Sequence, residues 1–223
     1  MPEPEKIEPT KKSRKEREHD RKRGEILDAA EKLFFSQGYE KTTINDIASA
    51  AEFAKGTIYL YFSAKAEIYL AIINRSLDIA HGMLAKTLDP KASGGQQLRA
   101  GYRGFIDFLN QYPDYFKMWL YGSRYVDEKL YLEHPLGNEC RQKEMGLMML
   151  NMNAIMKGIT DGSIQSEAPP PLIAMTFLVF NRGLHQFLLE NGEKVIAMYG
   201  VNRDDLIQQM EDVLCKGLGI HIQ

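Results

Sequence analysis

The residues best suited to chemistry lie between Thr42 and Phe62, where the chain reads TTINDIASAAEFAKGTIYLYF. Lys55, Thr57, Tyr59 and Tyr61 bring an ammonium and three hydroxyls into one short segment that holds no Asp or Glu. Such groups suit a polyanion, because they donate to phosphate oxygens and can also reach base edges. Gly56, lacking a Cβ, lets a partner approach the backbone closely. Leu60 is either an ordinary surface leucine or a contact for an apolar group such as the thymine methyl. Upstream, Thr43 offers a hydroxyl and a backbone N–H to a phosphate, acts as a plain helix cap, or does both. Asn45 carries the amide that pairs well with adenine. Lys65, with Tyr59 and Tyr61, is placed to clamp a sugar-phosphate backbone.

Two helices must hold these groups. Thr43 and Asp46 are spaced as a capping box, and Ile44, Ile47, Ala48 and Ala51 form the buried stripe of the helix it opens. A second helix is expected from about Lys55 to Phe62, with Ile58 and Phe62 one turn apart on its inner face. Two short helices joined by a turn make a helix-turn-helix, whose second helix enters the DNA major groove. An amphipathic helix precedes them from Arg21, with Ile26, Ala30, Leu33 and Phe34 inward and Gly38 ending it. Residues 11–23 hold eight Lys or Arg against three acids. That run is either a solvated, frayed tail or an arm that follows DNA phosphates and adds salt-dependent affinity.

Composition sets the outer limits. With 223 residues, 44% hydrophobic and 26% charged, the chain can bury a core and has ordinary globular values. Two cysteines, Cys140 and Cys215, give no disulfide framework and no metal pair, which suits a reducing cytoplasm. The five histidines are scattered, with no HExxH motif, so no metal, no cofactor and no enzymatic activity are expected. The polar start is no signal peptide. The longest nearly apolar run, Leu172 to Phe180, is short for a membrane helix, and no membrane association is expected.

Beyond Phe62 the pattern stays helical. A long helix is expected from Ala64 to Thr87, a loop at 89–96, then helices over 98–112, 115–121, 136–160, 172–190 and 203–218, with 122–135 irregular. No alternating strand pattern, internal repeat or glycine-rich phosphate loop is visible. The fold expected is all-α with nine helices.

From about Arg23 to Ile72, the ordered elements ILDAAEKLFFSQGYEKTTINDIA, AKGTIYLYF and Lys65 resemble the N-terminal domain of the TetR family of bacterial transcriptional regulators. Three motifs in the right order make the resemblance specific. It implies a two-domain chain of about nine helices: a flexible basic arm over 1–20, a helix-turn-helix domain over 21–66, and a ligand-binding and dimerisation domain over 67–223. The family's DNA contacts carry over to Thr43, Asn45, Lys55, Gly56, Thr57, Tyr59, Leu60, Tyr61 and Lys65. The chain departs from the family pattern at four positions: Glu52 occupies a turn position often held by glycine, Ala54 one often held by a polar cap, and Ala64 and Ala66 replace residues that are commonly polar or acidic at the start of the fourth helix. The resemblance also implies a homodimer through the last two helices. That dimer would be a repressor on a palindromic double-stranded operator, released when a small-molecule effector binds.

The rest of the chain is less specific. Phe105, Phe108, Trp119, Met148, Met152, Phe177, Asn181 and His185 either fill the core of a helical bundle or line a cavity for an apolar or amphipathic effector. Arg103 and Arg124 are further candidates to orient a polar end. The alternative function is a ligand-independent architectural or division-control protein that binds DNA through the same scaffold. A solid bundle favours that alternative, and a cavity favours the effector.

Overall fold

The computed structural model describes residues 13–220, so Lys11, Lys12 and the rest of the first twelve residues lie outside it. Eleven α-helices form among the described residues, and no strand does. They are α1 (Arg14–Gln37), α2 (Ile44–Ala50), α3 (Lys55–Tyr59), α4 (Lys65–Thr87), α5 (Gly94–Gln111), α6 (Pro113–Leu120), α7 (Glu128–Glu133), α8 (Pro135–Asp161), α9 (Pro170–Phe187), α10 (Glu193–Met198) and α11 (Arg203–Gly217). The chain divides into two compact units, one ending at Ile68 and the other starting at Tyr69.

In the first unit, Ile26, Ala30 and Phe34 of α1 are buried with Ile47, Ala48, Ile58, Phe62 and Ile68, the inward stripe that the periodicity predicts. Helix α1 starts seven residues earlier than expected. Ser13 and Glu16 form a reciprocal capping box, and Arg21 pairs with Glu18 and Glu25 one turn away on either side. Residues 14–20, expected in a flexible arm, therefore belong to a capped helix. Helix α3 is shorter than expected, because Tyr61 and Phe62 both close back onto the Ile58 carbonyl in a tight turn.

The second unit is a bundle around Leu98, Tyr102 and Ile106 of α5, Ile155 of α8, Ile173, Phe177 and Leu184 of α9, and Leu214 of α11. The last three residues of the loop expected at 89–96 are helical, because α5 begins at Gly94. Ser93 caps α5 through a box with Gln96, and the Gly94 N–H donates to Asp161 at 2.8 Å. A Cβ on Gly94 would lie 2.0 Å from the Gly158 nitrogen, so this glycine pair permits a backbone contact that no other residue fits. Asp127 caps the unexpected α7 within the stretch read as irregular. A π-helical turn at Leu188–Gly192 leads from α9 into α10, the other unexpected helix.

Helix α9 with the turn after it, Pro170–Glu190, is long and apolar enough to cross a membrane by length and composition alone. The nearly apolar run Leu172 to Phe180 understates this span, because Asn181, Arg182 and His185 interrupt the apolar pattern after it. Ile173, Phe177, Asn181, Leu184 and His185 are buried in the bundle, whereas Leu172, Met175, Leu178 and Val179 face outward. On α8, Met145, Met148, Met149 and Met156 are exposed.

Candidate functional site

Helices α2 and α3 present one polar face. Asn45, Lys55 and Gly56 are exposed, and Tyr59 and Leu60 expose 49% and 78% of their surface. Thr57, Tyr61 and Lys65 are half-buried. Ile58 supplies the only fully buried side chain of α3, so the rest of its short length is free to meet a partner. Glu52 in the turn adopts φ 57°, the left-handed conformation that a side chain disfavours by about 1–2 kcal/mol. The turn is nonetheless closed, by a 2.9 Å hydrogen bond from the Phe53 N–H to the Ala48 carbonyl. Ala54 supplies no side-chain cap, as its type dictates.

Two expected phosphate contacts are differently engaged. The Thr43 N–H and hydroxyl each donate to the Asp46 carboxylate at 2.8 Å, while the Asp46 N–H donates back to the hydroxyl at 3.1 Å. Both donors offered to a phosphate are thus spent on the capping box, which also holds the Asp46 carboxyl below its usual range. The Lys65 ammonium donates to the Tyr39 and Thr42 carbonyls, each at 2.8 Å, and sits 4.0 Å from the centre of the Tyr39 ring. It ties the start of α4 to the loop before α2 and keeps one N–H for another partner. The Tyr61 ring packs against His19 with centroids 4.7 Å apart, a contact from the α1 extension that the sequence did not reveal.

The second unit is not packed solid. A cavity of about 570 Å³ lies among α4, α5, α6, α8 and α9. Of the eight residues expected to line it, Phe105, Trp119, Met148, Phe177, Asn181 and His185 do so. Phe108 and Met152 do not. Phe108 turns its ring to Phe116 and Tyr112, and Met152 is half-buried elsewhere on α8. Arg103 instead pairs with the buried Glu211 of α11, which Arg99 also contacts, and Arg124 stacks on Tyr121.

Sequence reasoning missed the cavity's acidic corner. Glu144 accepts from the Trp119 indole N–H at 2.9 Å and from the Tyr131 hydroxyl. Burial and that bond raise the Tyr131 hydroxyl above its ordinary pKa. Burial also pushes the Cys140 thiol, on the same wall, up to about 12, so it stays protonated and a poor nucleophile. His185 is held down at about 4 by burial and is neutral near pH 7. No local pattern links Trp119 or Tyr131 to Glu144, so only the folded bundle identifies them.

An exposed, acid-free recognition helix beside a capped partner defines a helix-turn-helix DNA-binding protein, here with a separate cavity-bearing helical unit. The model of the family described as "Bacterial regulatory proteins, tetR family" matches residues 26–72. An uncharacterised HTH-type transcriptional regulator, YfiR of Bacillus subtilis (strain 168), is 30% identical over 193 residues, spanning 83% of this chain and 89% of that protein. The HTH-type transcriptional repressor KstR2 of Rhodococcus jostii (strain RHA1) is 30% identical over 154 residues, 66% of this chain and 69% of that one. The crystal structure of AibR in complex with isovaleryl coenzyme A and operator DNA shares the fold, with a TM-score of 0.61 at 19% identity over 90% of this chain and all of that one. The chain belongs to the TetR family and is a DNA-binding transcriptional regulator.

Proposed function

We propose that the protein is a cytoplasmic, homodimeric repressor, released from a palindromic operator when a small apolar or amphipathic effector fills the cavity of the second unit. The observation that carries this is the pairing, in one chain, of an exposed acid-free α3 with a cavity rich in aromatic side chains. Asn45, Lys55, Gly56, Thr57, Tyr59 and Leu60 meet base edges and phosphates. Tyr61 supports the backbone side, Lys65 holds the start of α4 in place, and Thr43 contributes chiefly by capping α2. Phe105, Trp119, Met148, Phe177, Asn181 and His185 meet the effector.

A second copy docks through α9 and α11, the last long helices. Leu172, Met175 and Val179 recur on α9 at steps of three and four and are exposed, as is Val213 on α11. Two copies place two recognition helices one DNA turn or more apart. The effector shifts operator affinity only by its differential affinity for the bound and released arrangements. A repressor relative supports this direction of control, and AibR, seen with both operator DNA and an acyl thioester, supports an effector-responsive mechanism. A cavity in the bundle counts against the ligand-independent alternative.

The test is selection of bound DNA from a random pool, followed by titration of the selected site. A palindrome bound by a dimer, with affinity lost in Tyr59→Ala, supports the reading. Binding without sequence preference refutes it.

A further inference from the structure

We infer that the cavity selects an uncharged apolar molecule through a hydroxyl set between Asn181 and His185, and that it disfavours carboxylates. This rests on the reading of the cavity as the effector site. Asn181 and His185 stand four residues apart on α9, so they share one face, and both line the cavity. Only 6% of Asn181 and 3% of His185 is exposed. The Asn181 amide N–H donates to the Phe177 carbonyl at 2.7 Å, which fixes the orientation of the amide and leaves Oδ1 as an acceptor. Among the described residues, neither Asn181 Oδ1 nor His185 Nε2 has a hydrogen-bond partner.

A buried acceptor without a partner is costly, so a ligand that supplies a donor gains affinity there. A hydroxyl donates its one O–H to Asn181 Oδ1 and accepts a second hydrogen bond from His185 in the neutral tautomer that carries the proton on Nε2. An ester or thioester carbonyl only accepts, and leaves Asn181 Oδ1 unsatisfied. A carboxylate has the same defect and also brings charge. Glu128 and Glu144 line the cavity, and among the described lining residues Arg182 is the lone Lys or Arg. Arg182 is exposed and already donates to the Leu120 carbonyl at 3.2 Å, so it offers an anion only a screened partner. Phe105, Phe116, Leu147 and Phe177 receive the apolar remainder of the molecule.

Trp119 is the chain's single tryptophan and lines the cavity, so its fluorescence reads occupancy directly and without DNA. The full-length protein is titrated with 1-octanol, methyl octanoate and octanoate, which share an apolar tail and differ in the polar end. The expected result is 1-octanol binding about tenfold or more tightly than either of the others. In Asn181→Leu, octanol and the ester converge to within about threefold. His185→Phe, which keeps a ring against Phe105 and Phe116, serves if the first variant does not fold, and reduces the same preference. Equal or tighter binding of the ester or the carboxylate overturns the inference and leaves the effector site standing. No response of Trp119 to any of the three overturns both.

Discussion

Lys65 separates a positioning role from a phosphate contact more cleanly than any other residue. Its ammonium makes two 2.8 Å hydrogen bonds to the carbonyls of Tyr39 and Thr42 and lies over the Tyr39 ring. Each charged hydrogen bond contributes roughly 1.5 kcal/mol at a half-buried site, and the ring contact about 0.5 kcal/mol. Lys65→Met keeps most of the aliphatic stem and escapes the cost of holding a charge partly out of water, which offsets part of that sum. The net loss expected is about 2 kcal/mol, or roughly 4–8 °C in the melting of a chain this size. The assay pairs thermal melting with operator affinity measured across a range of KCl concentrations. A residue that neutralises one phosphate contributes about 0.9 to the slope of log affinity against log salt. A positioning residue lowers affinity and leaves that slope alone. We expect a lower Tm with an unchanged slope. If instead the slope drops by about one while the Tm holds, Lys65 is a phosphate clamp and the carbonyl contacts are incidental.

Four further outcomes follow from the same geometry. Glu52→Gly relieves the left-handed strain but adds chain freedom to the unfolded state, for a net gain of about 0.5–1 kcal/mol in denaturant melts; a loss of stability would show that the Glu52 side chain matters. Tyr59→Ala, at a half-exposed position, weakens operator binding about tenfold with little change in Tm, and a matching drop in Tm would mark Tyr59 as structural. His185 has a folded pKa near 4 against 6.5 for the free side chain, so the unfolded chain binds more protons between those values. Its contribution of about 3 kcal/mol is complete above pH 6.5 and is lost as the pH falls towards 4. His185→Phe should flatten that part of the stability profile, and an identical profile would contradict the buried neutral imidazole. Glu211→Gln removes the buried partner of Arg99 and Arg103; with both arginines still in contact with water, the loss in urea melts is about 1–3 kcal/mol, and no loss would mean the pair is dispensable.

The helix-turn-helix was legible because its signals are local. Gly38, the Thr43–Asp46 box and the spacing of Ile26, Ala30, Ile47, Ile58 and Phe62 each act within one or two turns. Even the misplaced starts of α1 and α5 had local signals, since Ser13–Glu16 and Ser93–Gln96 are capping boxes of the ordinary spacing. Gly94 and Gly95 obscured the second, because paired glycines suggest a loop until Gly158 is known to lie against them. The cavity was only half legible. Periodicity groups Phe105 with Phe108, and Met148 with Met152, but cannot say which member of each pair faces a void. The exposed methionines of α8 illustrate the same limit, since spacings of three and four define a stripe without naming what it meets. The Arg103–Glu211 and Trp119–Glu144 pairs depend on distant segments meeting, which no local pattern encodes.

The joint between Gly94 and Gly158 bears on how variation in this family should be interpreted. A side chain at Gly94 collides with backbone, so that position accepts no substitution without a backbone shift, and one at Gly158 meets the Ile164 side chain at 2.5 Å, which must move to admit it. Relatives that keep this joint should retain both glycines whatever ligand they take. Lineages that adopt a new effector should instead drift at cavity positions such as Asn181 and Leu147. In an alignment the steric joint would then stand out more strongly than the pocket. Residues that diverge between lineages, rather than the invariant ones, would locate ligand choice.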